Sequence, residues 1–274
     1  MNIMYSGDKN IGRGMLMSLL SLRAHIAEPL HVWVLTMHLE TGGRHWEPVS
    51  AEVIALAENV VKTSHAESTV HCVDLTTAYL EELPAANLAT RFTPYCMLRL
   101  WADKVEGLPD RILYLDNDVV CNKSPETFYN QPIEDVELVG VPDHYGQWFF
   151  RKKWFRSSYL NSGVLLMNMK KIHETGLLDR CRKQCREKRM FMPDQTALND
   201  QMSFYRIASR CYNDQRRQHA DTVLRHFITT WRIWPWPHTV TVKPWDGERM
   251  HAVLHCHEYD DFLSRMNNLI CNNN

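Results

Sequence analysis

Residues 30–35 read Leu-His-Val-Trp-Val-Leu, a short apolar run with the character of a buried strand. On its N-terminal side, residues 14–25 carry Met15, Leu19 and Leu22 at helical spacing. Ahead of them Asn2 to Ser6 (NIMYS) forms another apolar run that stops at Gly7. On its C-terminal side, Val49 to Val61 predicts a helix and Thr69 to Leu75 (TVHCVDL) a third strand. The resulting order, β-α-β-α-β, is that of a parallel sheet with crossover helices.

Further along, Thr93-Pro94 supplies an N-cap and a proline for the first helical position. The predicted helix carries Met97, Arg99, Leu100 and Trp101 and ends near Gly107. Arg111 to Leu115 (RILYL) predicts a compact strand that runs directly into Asp116-Asn117-Asp118. Ser124-Pro125 predicts a short helix, and 137–141 and 163–169 predict strands. Helices are expected over about 170–189 and 194–205. The last third is rich in Trp, Pro and His, with a strand expected over about 252–256. No repeat, low-complexity linker or compositional break divides the chain, so one α/β domain is expected over 1–271, with 272–274 a frayed tail.

Composition narrows the function. The 274 residues include 31 Lys+Arg and 32 Asp+Glu, a formal net charge of −1; 45% are hydrophobic and 23% charged. That balance is ordinary for a folded domain and excludes a disordered chain. It gives no electrostatic reason to expect a nucleic-acid partner. No apolar run reaches bilayer-spanning length, and residues 15–22 lack the flanks of a signal peptide. The eight Cys are scattered without a CxxC pair, as expected for reduced, mostly buried thiols in a cytoplasmic protein. Cys181 and Cys185 should share one helix face.

The chemistry centres on RILYLDNDVV at 111–120. Open α/β sheets bind ligands beyond the carboxyl ends of their strands. Asp116 and Asp118 stand there, two residues apart, able to converge on one hard divalent cation. A bare D-x-D also serves as an Asx-rich turn, so the pair alone leaves both readings open. Asp8 and Asn10 follow the first strand, where a carboxylate and an amide can meet a nucleotide base or simply form a turn. Arg99 can pair with Asp116 or Asp118 or reach a sugar through its fork of donors. Asn161, Ser162 and Gly163 suit sugar hydroxyls and close backbone approach, or an ordinary turn. Asp194-Gln195 follow Pro193 at a helix start, where an acid is favourable in any case.

Taken in order, IMYSGDKN at 3–10, LRLW at 98–101, YLDND at 114–118, LNSGVLLMN at 160–168, PDQTALN at 193–199 and VKPW at 242–245 resemble glycosyltransferase family 8 over nearly the whole chain. That family includes bacterial lipopolysaccharide galactosyl- and glucosyltransferases and glycogenin. The resemblance implies a single GT-A (Rossmann-like) domain with a mixed, mainly parallel sheet flanked by helices. It implies a hexosyltransferase moving glucose or galactose from a UDP-sugar to a hydroxyl of a saccharide or glycolipid, with retention of configuration. Manganese is the implied cofactor, with magnesium an alternative, and Asp116 and Asp118 its ligands. The donor would be held by Ser6, Asp8, Asn10, Arg99, Asp116, Asn117, Asn161, Ser162, Gly163, Asp194 and Lys243. Gln195, Asp194 and Arg99 would flank the reaction centre. Gln195 is a poor nucleophile and Asp194 a possible one, so a covalent intermediate stays open, with same-face attack by the acceptor the favoured expectation. A cytoplasmic enzyme of lipopolysaccharide assembly, peripheral to the inner membrane face, is the setting this implies.

The family's late H-x-x-G-x-x-K-P-W element supplies a third metal ligand and a diphosphate-binding lysine. Here Lys243-Pro244-Trp245 is present, but His238 precedes the lysine by five positions rather than six, and Thr241 stands where glycine is usual. VLHCHEYDDF offers another lead-in, making His255 the expected third ligand, with His257 and His238 as alternatives. Trp231, Arg232, Trp234 and Trp236 could form an acceptor platform, a membrane-interface patch, or internal packing. Two other functions use the same features: a metal-dependent nucleotide-sugar hydrolase, and an inactive nucleotide-sugar-binding protein whose altered C-terminal element has lost turnover.

Overall fold

In a computed structural model the described residues are 1–41, 43–88, 93–146, 159–232, 234 and 236–272. The N-terminal apolar runs form β1 (Asn2–Ser6), β2 (His31–Thr36) and, beyond a hairpin, β5 (Thr69–Asp74). β1 pairs with β2, and β2 with β5, all in parallel. Helices Gly12–His25 and Ala51–Lys62 make the crossovers. The hairpin, β3 (Leu39–Thr41) with β4 (Arg44–Trp46), follows β2 and was not anticipated from the sequence.

β6 (Arg111–Leu115) joins β1 in parallel. β8 (Leu138–Pro142) and β10 (Tyr205–Ile207) also pair in parallel. β9 (Leu160–Asn168) lies between β6 and β8 and is antiparallel to both. Among the described residues the sheet therefore reads β10-β8-β9-β6-β1-β2-β5, with β9 running against the others. This reversal positions the site. It brings the start of β9 to the edge where β1, β6 and β8 end, with Leu115 opposite Val164 and Pro142 opposite Leu160.

Side chains alternate between two cores, as the pleat requires. Ile3, Tyr5, Leu113 and Leu115 pack with helix Gly12–His25 on one face. Met4, Ile112 and Tyr114 pack on the other face, against Leu98, Trp101, Cys181 and Cys185. The two cysteines do share a buried helix face.

Several boundaries differ from expectation for identifiable reasons. The helix opened by Thr93-Pro94 spans Pro94–Lys104 and winds as 3₁₀ turns. The basic helix is two, Met169–Thr175 and Leu177–Glu187, broken where Gly176 adopts φ 65°. Such a backbone suits glycine and ends helices. The helix at Asp194 runs over Pro193–Gln201, and Tyr205 already begins β10. The strand expected over 252–256 is instead the end of a helix, Gly247–Leu254. Asp246 caps it, its side chain accepting from the Arg249 N–H at 3.2 Å. Met250, Val253 and Leu254 then meet the core at helical spacing. Of the expected tail, residues 273–274 lie outside the described residues, and Asn272 caps the helix Asp260–Cys271.

Candidate functional site

After β6 the chain turns through Asp116-Asn117-Asp118 into β7 (Val119–Cys121). β7 pairs antiparallel with β11 (Leu224–His226), setting His226 directly opposite Val119. The Phe227 N–H donates to the Asp118 carbonyl at 3.0 Å. This pairing carries His226 to the two aspartates. Its Nε2 lies 3.1 Å from Asp118 Oδ1 and 3.7 Å from Asp116 Oδ2. Ligand atoms of the three residues all fall within 4.8 Å of one another. His226 Nδ1 faces Asn213 Oδ1 at 3.1 Å. Asn213 in turn donates to Asn161 Oδ1 at 2.9 Å. An imidazole held at Nδ1 presents Nε2 to the carboxylates, the arrangement in which outer-shell groups orient a metal-binding histidine. Two carboxylates and one imidazole are a donor set that suits manganese or magnesium.

Gly163 makes this geometry sterically feasible. A Cβ there would lie 2.2 Å from His226 Cε1 and 2.7 Å from Asp116 Oδ2. Its carbonyl accepts the Asp116 N–H at 2.8 Å, so β9 and the aspartate turn are fastened at the same point.

Arg99 is buried beneath the turn. Its Nη2 donates to Asp116 Oδ1 at 2.8 Å, Nη1 donates to the Ser162 carbonyl, and Nε lies 3.3 Å from Asp194 Oδ2. Its guanidinium stacks 4.2 Å from the centre of the Tyr114 ring. Burial alone would weaken this cation, but Asp116 and Asp194 outweigh it and hold the proton more tightly than usual. Tyr114 O–H also donates to Asp116 Oδ1 at 2.9 Å, and Ser6 Oγ meets the Tyr114 hydroxyl at 2.9 Å. On the far side Lys243 Nζ donates to Asp118 Oδ2. Burial opposes ionisation of Asp118, yet Lys243 and His226 together hold its carboxyl well below the usual range.

The start of β9 faces the helix Pro193–Gln201. Ser162 Oγ donates to Asp194 Oδ2 at 3.1 Å, and the Ser162 N–H donates to Gln195 Oε1 at 3.0 Å. Burial raises the Asp194 carboxyl above its ordinary value, against the pull of Arg99. Gln195 Nε2 donates to Asp143 Oδ2 at 3.2 Å, and Asn161 Nδ2 donates to the same oxygen at 2.8 Å. These groups line a cavity of about 800 Å³ that also includes Asp116, Asp118, His226 and Lys243. Its wall and mouth include Tyr145, Phe191, Met192 and Trp231. Trp231 lies on β12 (Thr230–Arg232), which pairs with β13 (His238–Val240); its N–H donates to the Tyr145 hydroxyl at 3.1 Å.

The structure thus gathers Arg99, Asp116, Asp118, Asn161, Ser162, Asp194, Gln195 and Lys243 around one cavity. It does not bring the expected histidines there. His255 is exposed at the end of the helix Gly247–Leu254, with φ 50°. His257 is exposed and stacked on His251 beside Asp260. His238 pairs with Arg232 in the β12–β13 hairpin, its Nδ1 on the Trp236 carbonyl at 2.7 Å. For His255 and His257 the physical reason is the helix: the VLH lead-in, expected as a strand, packs as the last helical turn before them. His226, Asp143 and Asn213 are the groups the sequence reading missed. Asp143 had a signal, since it follows a predicted strand at its carboxyl end. Asp8 and Asn10 form a turn, with the Asn10 N–H on Asp8 Oδ1 at 2.9 Å and Asn10 Nδ2 on Oδ2 at 3.1 Å. Neither is among the residues lining the cavity, and nor is Asn117, which backs onto Gly14.

No helix among the described residues is long and apolar enough to cross a membrane. The family model for glycosyl transferase family 8 matches residues 2–234. No curated protein sequence gives a significant match. Among solved structures, an active-site mutant of LgtC superposes with a TM-score of 0.70 at 18% identity, covering 98% of this chain and 95% of that one. The galactosyltransferase LgtC in complex with donor and acceptor sugar analogs gives 0.69 at 19% identity, covering 98% and 96%. The bifunctional glycosyltransferase WbbM gives 0.66 at 14% identity, covering 97% of this chain and 49% of that one. At these identities the superpositions speak for the fold, which is the single GT-A domain the motifs implied. The family match spans strands β1 to β12 and takes in Asp116, Asp118 and His226 alike, and on it this chain belongs to glycosyl transferase family 8.

Proposed function

We propose that this glycosyltransferase is a retaining, metal-dependent hexosyltransferase. In this reading it moves glucose or galactose from a UDP-sugar to a hydroxyl of a saccharide or glycolipid. The observation that carries the reading is the convergence of Asp116, Asp118 and His226 at the carboxyl edge of the sheet, on the floor of a large cavity. These three would hold manganese, or magnesium in its place. When bound, the cation neutralises charge that develops on the departing diphosphate. Lys243 adds a cation from the opposite side. Arg99 positions Asp116 and Asp194 rather than grasping substrate, since its Nε and both Nη atoms are engaged by protein oxygens.

For retention, Gln195 is an amide and Asp194 is engaged by Ser162 and Arg99. Both facts favour same-face attack. The acceptor oxygen bonds to the anomeric carbon as the bond from that carbon to the phosphate oxygen breaks. The acceptor proton passes to the leaving diphosphate. Asp143, Asn161 and Ser162 offer polar groups for the sugar, and Trp231 and Tyr145 offer faces for the acceptor ring. Trp234 and Trp236, 85% and 69% exposed, support contact with the inner face of a membrane that carries a glycolipid acceptor.

Thermal denaturation with UDP, GDP, CDP and dTDP, each with and without manganese, tests the donor reading. A ligand that binds only the folded chain raises its melting temperature by mass action. A rise specific to UDP and dependent on manganese is expected, and equal responses with and without metal would overturn the assignment. NMR of the product from UDP-glucose or UDP-galactose then reads the anomeric configuration. Free sugar formed at a rate indifferent to any acceptor would mean a hydrolase.

A further inference from the structure

The unanticipated β3–β4 hairpin carries a repeated pattern, His38-Leu39-Glu40 and His45-Trp46-Glu47. Residues two apart in a strand share a face. The register pairs Leu39 with Trp46 and Glu40 with His45, which sets His38 opposite Glu47. Leu39 is buried and Trp46 packs against the core, so His38, Glu40, His45 and Glu47 project together from the other face. His45 Nδ1 lies 2.8 Å from Glu40 Oε1, and His38 Nε2 lies 3.5 Å from the same oxygen. His38 Nδ1 lies 3.8 Å from Glu47 Oε2, and His45 Nε2 contacts Glu47 Oε1. The two imidazoles meet edge to face at 4.9 Å.

We propose that these four side chains form a second metal site, distinct from the cavity, that binds zinc. Metal–ligand bonds of about 2.1 Å place the donors of a tetrahedral site about 3.4 Å apart. Each imidazole gives a cation only one of its nitrogens; counted so, ligand atoms of His38, Glu40 and His45 fall within 4.8 Å of one another, and Glu47, which the other nitrogen of each imidazole faces, joins as the fourth ligand by side-chain rotation. Two imidazoles and two carboxylates favour zinc over manganese or magnesium. As an ion-pair network alone, these part-exposed groups would contribute little. The site is also well placed to matter. The Glu47 carbonyl accepts the Lys9 N–H at 3.1 Å and the Tyr95 hydroxyl at 3.0 Å. A cation clamping the hairpin would therefore brace the Asp8–Asn10 turn.

The test uses the full chain, stripped of metal and carrying D116N, D118N, H251A and H257A to silence the other surface and cavity clusters. Zinc is titrated calorimetrically, and cobalt is added as a spectroscopic substitute. One equivalent of zinc should bind, with the visible absorption of tetrahedral cobalt. Adding E40Q and E47Q, which preserve side-chain shape, should weaken zinc binding by more than the 10–100-fold typical of losing an outer-shell group, and abolish the cobalt bands. Adding H38A and H45A should do the same, with circular dichroism unchanged. Absence of zinc binding by the silenced chain would overturn the proposal. So would unchanged affinity and spectra in both the glutamine and the alanine variants.

Discussion

Gly163→Ala tests whether the metal cluster depends on close approach of β9. The added Cβ would sit 2.2 Å from His226 Cε1, 2.8 Å from His226 Nδ1 and 2.7 Å from Asp116 Oδ2. Ordinary carbon–carbon contact begins near 3.5 Å, so the imidazole or the strand must move by about 1.3 Å. Neither yields easily. His226 is 5% exposed, held by β7 and Asn213, while the Gly163 carbonyl is bonded to the Asp116 N–H. Overpacking of this kind costs about 1–3 kcal/mol. For a chain of this size that is a fall of roughly 2–12 °C in melting temperature. Displacing a ligand by that distance should also weaken manganese binding by at least the roughly 10–100-fold seen when outer-shell support is lost. Denaturation without metal reads the first effect, and a manganese titration of UDP binding or sugar transfer reads the second. A variant matching the unmodified chain in both would refute the account of why glycine stands at this position.

Asp118→Asn and His226→Ala should each abolish manganese-dependent turnover, whereas His255→Ala should leave the manganese titration unchanged; the opposite ranking of the two histidines would transfer the third ligand. Arg182, 1% exposed, donates to Glu82 at 2.9 Å, to Asp103 at 2.5 and 3.1 Å and to the Leu100 carbonyl at 2.6 Å. Arg182→Met strands these acceptors and should cost about 3–5 kcal/mol in denaturant unfolding. Burial would raise the Glu82 carboxyl, but hydrogen bonds from Arg182 and Arg186 outweigh it and depress the folded value. Its contribution is thus complete above the ordinary glutamate value of about 4.5 and lost as pH falls through the depressed one. Glu82→Gln should flatten the acid limb of melting temperature against pH, and an unaltered limb would remove Glu82 from that role.

The elements nearest the N-terminus were the most legible, because β1, β2 and β5 are local apolar runs between helices of ordinary period. The aspartate turn was visible as two carboxylates ending a buried strand, but its reading as a metal site rested on the ordered motifs around it, because an Asx-rich turn has the same local sequence. The misreadings share a cause. Val253 and Leu254 are compatible with strand or helix, and only the packing of Met250 beside them selects the helix. His226 gave no local signal, because its position depends on a two-stranded pairing between residues far apart in sequence. The sequence places Asn161 and Ser162 just ahead of a strand beginning at Gly163, whereas β9 already includes them. That its first residues face the reaction edge follows from its reversed direction, a property of topology rather than of any motif.

The hairpin β12–β13 is an arch whose two feet are planted at one point. His226 leaves one side of Asp118 and Lys243 returns to the other. Phe227 and Val242 beside the feet are buried in the core and Val240 packs against it. The span around residues 231–239, where Trp231, Trp234 and Trp236 are exposed, is excursion, and the entropy of closing an excursion grows only with the logarithm of its length, about 0.6 kcal/mol for each doubling. That span can therefore be lengthened, shortened or exchanged at small thermodynamic cost while the aspartate turn stays as it is. A graft of a foreign hairpin between Phe227 and Val242 is accordingly a way to redesign the mouth of the cavity without rebuilding its floor.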